Sequence, residues 1–286
     1  MRSEKEIMDL ILNTAKEDPR IRAVIMGGSR VNINAPKDKY QDYDIGYVVT
    51  ETESFIKDKN WIKRFGDIAI VQEPDLVDVS FGKEMDFSKS YAWLMLFKDG
   101  TRIDLGIQVL EEALKDCENE CLTTVLLDKD NVMPALPKAS DIDYIIKKPT
   151  EAAYKACCNE FWWCLNNVGK GIGRDELSYA MWMYNIVVRN MFMKMMEWYI
   201  GVNTGFKVSA GKLGKFFKKY LPADIYERFE KTYCDSDYEH FWRAIDEMCG
   251  LFRDTALIVG KNLGYIYNFS EDDNMTSYLR GIREGR

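Results

Sequence analysis

Three carboxylates carry the clearest chemical signal in the sequence: Asp42 and Asp44, two residues apart, and Asp104 much further on. Residues two apart on a strand point the same way, so Asp42 and Asp44 can grip one hard cation together. Magnesium takes a few oxygen ligands and completes its octahedron with water and phosphate oxygens, an arrangement that two acids on one strand and a third on a neighbour suit. In Thr101-Arg102-Ile103-Asp104-Leu105-Gly106, Ile103, Leu105 and Ile107 mark the buried face and leave Asp104 on the exposed one. Acids in this pattern also fit a merely solvated strand face. Gly27-Gly28-Ser29-Arg30 shifts the balance, because the amides of a glycine turn can nest an anion and the Ser29 hydroxyl can donate to a phosphate oxygen. The turn lacks the spacing and lysine of a Walker A loop, so P-loop chemistry is not supported there.

The elements that must hold these residues follow from local patterns. Ser3-Glu4-Lys5-Glu6 has the form of a capping box, and Ile7, Leu10, Ile11 and Thr14 continue at helical spacing to about Glu17. Asp18-Pro19 breaks that helix, and Ile21 to Met26 reads as a strand running into the glycine turn. Tyr43 to Val49 and Asp67 to Val71 read as further strands. Tyr91 to Phe97 and Thr101 to Val109 flank Lys98-Asp99-Gly100, a hairpin signal. Past Pro134, Pro137 and Pro149 the periodicity turns helical, which puts a domain boundary near residue 145. A helix capped by Asp175 is expected to present Leu177, Met181, Tyr184, Val188, Met191, Met195 and Trp198 to a core. Further helices are expected after Pro222 and from Tyr238 to Leu263, with Gly169-Lys170-Gly171-Ile172-Gly173 as a turn before the Asp175 cap or, less simply, a phosphate loop.

Composition narrows the class. Hydrophobic residues at 47% and charged ones at 30% give 286 residues enough apolar material for a packed core. No apolar run reaches the roughly 20 residues of a membrane span, and Met1-Arg2-Ser3-Glu4-Lys5-Glu6 is too charged for a secretory signal, so a cytoplasmic protein is expected. The seven cysteines follow no disulfide or zinc spacing and read as reduced thiols. A single histidine, His240, excludes histidine-cluster metal sites. A net charge of −7 disfavours long-range attraction of nucleic acid and favours a cationic partner.

Gly28-Ser29, Asp42-Tyr43-Asp44 and the distant Asp104 together resemble the signature of the polymerase-beta-like nucleotidyltransferase superfamily. Met26 to Arg30, Gln41 to Ile45, Gly100 to Leu105 and Gly173 to Leu177 narrow the likeness to the streptomycin-modifying aminoglycoside 6-adenylyltransferases, over nearly the whole chain. The resemblance implies an α+β protein. Residues 1–145 form a nucleotidyltransferase domain with a mixed sheet, and residues 146–286 a helical domain that contacts substrate and nucleotide. It implies magnesium on Asp42, Asp44 and Asp104, with Asp104 as ligand, base or both. It also implies ATP as co-substrate, held by Gly28, Ser29 and Arg30, and transfer of AMP to the 6-hydroxyl of streptomycin. Lys212 and Lys215 are candidates for the β- and γ-phosphates, against a solvated helix face as the plain alternative. A guanidinium-bearing acceptor calls for carboxylates, with Asp175 the first candidate and Glu84 and Asp86 its competitors. Other acceptors (a protein, a tRNA end or a lincosamide) and a non-catalytic nucleotide-binding module remain the alternatives.

Overall fold

Ser3 starts the first helix by a reciprocal cap: its hydroxyl accepts from the Glu6 amide at 3.3 Å, and the Glu6 carboxylate accepts from the Ser3 amide at 2.7 Å. That helix, α1 (Glu4–Glu17), opens a computed structural model that describes residues 1–285. The chain divides into two compact units, Met1–Asp143 and Tyr144–Arg286. The first holds a mixed sheet and the second is helical, so the fold is α+β.

The strands of the first unit are β1 (Ile21–Gly27), β2 (Tyr43–Val49), β3 (Ile68–Gln72), β4 (Ser90–Phe97), β5 (Arg102–Val109) and β6 (Thr123–Asp128). They lie in the order β3-β4-β5-β2-β1-β6, and only β2 and β5 run parallel. Gly100, at φ +83°, makes the tight turn between β4 and β5 that an L side chain resists. Tyr43, Ile45, Tyr47 and Val49 of β2 and Ile103, Leu105 and Ile107 of β5 point into one core with Ile7 and Ile11 of α1 and the rings of Trp61, Phe65 and Trp93. Each such side chain contributes about 1.5–3 kcal/mol of burial, which fixes the face that β2 and β5 turn inward. The residues between them must emerge on the other face. Short helices α2 (Glu53–Lys57) and α3 (Pro74–Ser80) lie in the connections, and α4 (Leu110–Asn119) follows β5 and packs Ala113 with Val48 and Ala23.

The second unit comprises α5 (Glu151–Gly173), α6 (Leu177–Trp182), α7 (Arg189–Thr204), α8 (Phe217–Tyr220), α9 (Ala223–Glu230), α10 (Tyr238–Leu263) and α11 (Phe269–Arg283). Phe161 of α5 stacks on Phe252 of α10 with centroids 3.7 Å apart. Three expectations are corrected here. Gly169 to Gly173 is helix, not turn. The expected helix from Asp175 to Trp198 starts at Leu177 and runs on through a π-helical segment at Met183–Val188. Asp175 is not an N-cap: at φ +59° it ends α5, while its carboxylate accepts from the Tyr238 hydroxyl at 2.7 Å. Among the described residues no helix is long and apolar enough to cross a membrane. All seven cysteines are free, and burial pushes the Cys157, Cys158 and Cys249 thiols up, which keeps them protonated.

A buried polar chain ties α11 to this core. The Trp162 indole donates to the Tyr267 hydroxyl at 2.9 Å, that hydroxyl donates to Asp272 at 2.8 Å, and Arg253 donates to both Asp272 oxygens. Asp272 is only 1% exposed. Removing one partner from such a network leaves the others unsatisfied, so Asp272→Ala is expected to cost about 3 kcal/mol, read as a shifted urea midpoint. A midpoint within experimental error of wild type would show the network to be dispensable.

Candidate active site

The parallel ladder between β2 and β5 places Asp44 directly opposite Asp104, and then Gly46 opposite Gly106, on the face away from the aromatic core. One step before the ladder, Asp42 and Arg102 stand in the same relation, with an Arg102 nitrogen 3.4 Å from an Asp42 oxygen. Four charged groups thus form a small square, three acids and one base. The Asp104 carboxylate accepts from Nε and Nη2 of Arg102 at 2.8 and 2.7 Å, a bidentate fork. Beyond the square, Gly106 leaves the sheet floor open while Ile25 packs over Gly46, and a cavity of about 500 Å³ is lined by Asp44, Asp104, both glycines and Gln108.

Asp44 is the constrained member. Burial first, then the charges of Asp104 and Asp42, push its carboxyl above the ordinary aspartate value. Burial likewise raises Asp42, and Arg102 opposes that rise. Among the described residues no group donates a hydrogen bond to the Asp44 carboxylate. A half-buried anion without a donor, beside two more carboxylates, is the electrostatic deficit that a hard cation corrects. The donor set is all oxygen and fits magnesium. As placed, no group of three acidic, histidine or cysteine side chains among the described residues is drawn in to ligate an ion, and Arg102 stands against Asp42 and Asp104.

The glycine turn closes on Asp44. Gly28 begins a 3₁₀ turn, Gly28–Arg30, at φ +69°, and a Cβ there would lie 2.0 Å from the Asp44 Oδ2. Two side chains fasten this turn to the entrance of β2. Gln41 donates to the Ser29 carbonyl at 3.1 Å and to its hydroxyl at 3.3 Å. Arg30 donates to the carbonyls of Asp42 and Gln41, both at 2.9 Å, and stacks over the Tyr43 ring at 3.6 Å. Arg30 therefore sets the spacing of Ser29 and Asp42 while its own charge faces Glu4 at 3.5 Å. Gln41 and Arg102 escaped the sequence reading of single residues, although both stand inside the motifs that carried the resemblance.

The remaining candidates are in the second unit. Lys212 and Lys215 are exposed on a turn that Gly211, Leu213 and Gly214 bend through left-handed conformations. Asp175 is exposed and engaged by Tyr238. His240 pairs with Asp235 at 2.8 Å on the rim of a cavity of about 960 Å³. Two of that cavity's cations are matched by acids, Arg228 by Glu247 and Asp254 and Lys231 by Glu227, and it contains none of the carboxylates of β2 or β5.

Acids on adjacent strands, beside a glycine–serine turn on a mixed sheet, define a nucleotidyltransferase. Comparison with known proteins gives the family. The streptomycin adenylyltransferase family model matches residues 1–282. The chain is 39% identical to an aminoglycoside 6-adenylyltransferase of Campylobacter jejuni, covering 98% of this chain and 95% of that one. It is 38% identical to one of Bacillus subtilis (strain 168), over 99% and 98%. A crystal structure of an aminoglycoside 6-adenyltransferase from Bacillus subtilis is similar at 34% identity, covering 99% of each chain, with a TM-score of 0.48. The chain belongs to the streptomycin adenylyltransferase family and is an enzyme of the adenylyltransferase class.

Proposed function

We propose that this protein transfers AMP from ATP to the 6-hydroxyl of streptomycin, releases pyrophosphate, and thereby confers resistance to that antibiotic in the cytoplasm. The observation that carries the reading is the square of Asp42, Asp44, Asp104 and Arg102 beside the Gly28–Ser29 turn. The names of its relatives supply the acceptor class and the position modified. Asp42, Asp44 and Asp104 would hold magnesium, which when bound neutralises the triphosphate and makes the acceptor oxygen a better nucleophile. Gly28 and Ser29 bind phosphate through backbone and hydroxyl donors, and Arg30 and Gln41 keep that turn at its distance from Asp42. Lys212 and Lys215 neutralise the outer phosphates, and Asp175 faces a guanidinium of the acceptor. Asp104 takes the acceptor proton only after Arg102 has released one of its oxygens.

The test is pyrophosphate release from ATP and magnesium with streptomycin, kanamycin, spectinomycin, lincomycin or no acceptor. Release confined to streptomycin, with the adenylyl group on its 6-hydroxyl by NMR, is the expected result. Release with another acceptor moves the substrate. ATP binding without release on any of them supports a nucleotide-binding module instead.

A further inference from the structure

Arg102 competes for the lone pairs that a metal needs. Its guanidinium occupies both oxygens of Asp104 and lies 3.4 Å from Asp42. A divalent cation held by Asp42, Asp44 and Asp104 requires those oxygens, and a guanidinium left among them repels it. The two cations compete for the same carboxylates. Arg102 is also free to leave without unpacking the core: its side chain is 43% exposed and begins β5 at the rim of a second cavity, of about 540 Å³. That cavity is lined by Arg2, Arg30, Lys37 and Lys39 as well as Arg102, against the acids Glu4, Asp38 and Asp42. Lys37 and Lys39 have no ion-pair partner among the described residues and Arg30 already faces Glu4, so a guanidinium moving there enters a lining in which bases outnumber acids. It moves favourably only when an anion arrives with it.

We propose that Arg102 is a resident counter-cation of the carboxylate cluster, a positioning residue that makes the site take metal together with a triphosphate in preference to free metal. This rests on the metal assignment made above. Before substrate arrives, Arg102 partly offsets the charge of Asp42 and Asp104 and keeps them in register. When a metal–nucleotide complex enters, the phosphates receive the displaced guanidinium and the metal takes its carboxylates. No covalent step is involved, only an exchange of one cation for another.

The experiment measures Mn²⁺ binding by the EPR signal of the free ion, with and without a non-hydrolysable ATP analogue, in wild type, Arg102→Met, Arg102→Lys and Asp44→Asn. In wild type the analogue is expected to strengthen Mn²⁺ binding strongly. Arg102→Met is expected to bind nucleotide-free Mn²⁺ about tenfold more tightly, as removal of one neighbouring charge implies, and to gain less from the analogue. Arg102→Lys, which keeps the charge and loses the fork, falls between them. Melting in EDTA adds an independent readout: Arg102→Met melts lower than wild type, and Mn²⁺ alone restores it. Nucleotide-free Mn²⁺ binding unchanged in Arg102→Met, or a lowered melting point that Mn²⁺ leaves unrepaired, would overturn the proposal and mark Arg102 as merely structural. If Asp44→Asn binds Mn²⁺ as wild type does, the metal assignment itself falls, and the Arg102 proposal with it.

Discussion

Asp44→Asn is expected to lower kcat/KM for pyrophosphate release by about 10³-fold while making the protein more resistant to heat in the presence of a chelator. The activity loss follows from removing one anionic metal ligand, an interaction worth several kcal/mol of transition-state stabilisation. The stability gain follows from the sign of the pKa shift. Burial, then Asp104 and Asp42, raise the Asp44 carboxyl in the folded protein above its unfolded value. The folded state therefore holds a proton more tightly than the unfolded one. Stability falls as pH rises from the unfolded toward the folded pKa, and the deficit persists at neutral pH. Asparagine carries no such charge, so the melting advantage of the variant in chelator should be largest at neutral pH and shrink as the pH is lowered into the ordinary carboxylate range. Scanning fluorimetry across pH, beside the pyrophosphate assay, reads both effects. A variant with near-normal turnover would remove Asp44 from the metal site. One that loses turnover but melts like wild type at every pH would show that Asp44 is not strained by its surroundings.

Features written in short stretches of sequence were legible, and features made by distant packing were not. The Ser3–Glu6 cap, the Asp99-Gly100 hairpin and the core stripe through Tyr184, Val188 and Met195 depend on neighbours within a turn or two, and the fold class follows from them. The run Gly169 to Gly173 misled because glycine's low helix propensity signals a break. Its helicity comes from close packing: a Cβ at Gly169 would meet Leu279 at 2.8 Å, and one at Gly171 would meet Ala180 at 2.9 Å. Strand β6 also went unread, since Thr123 to Asp128 shows no alternation and is defined by its pairing with β1. At the site, the acids and the glycine turn were visible as local patterns. The partnership of Arg102 with Asp42 was not, because it exists only through the parallel register of β2 and β5. An arginine opening a strand otherwise looks like a solvated end.

The glycine turn can be tested with the same logic of contact. Gly28→Ala places a methyl group 2.0 Å from the Asp44 Oδ2 and 2.8 Å from its carboxyl carbon, in a backbone held at φ +69°. The left-handed conformation alone costs an L residue about 1–2 kcal/mol. The contact is then relieved only by moving the turn or the Asp44 carboxylate, and a displacement near 1 Å between reacting groups costs about 10²-fold in rate. Gly27→Ala is the matched control, because Gly27 is extended at φ −116° and its added Cβ meets only the Leu122 carbonyl, at 3.5 Å. The expected result is a loss of about 10²-fold in kcat/KM for Gly28→Ala, against a change of less than about threefold for Gly27→Ala, with both proteins folded by circular dichroism. Equal, small effects at the two positions would mean that the turn does not set the geometry of Asp44. Equal, large effects would mean that the whole strand end, and not the approach of Gly28 to the carboxylate, is what the reaction depends on.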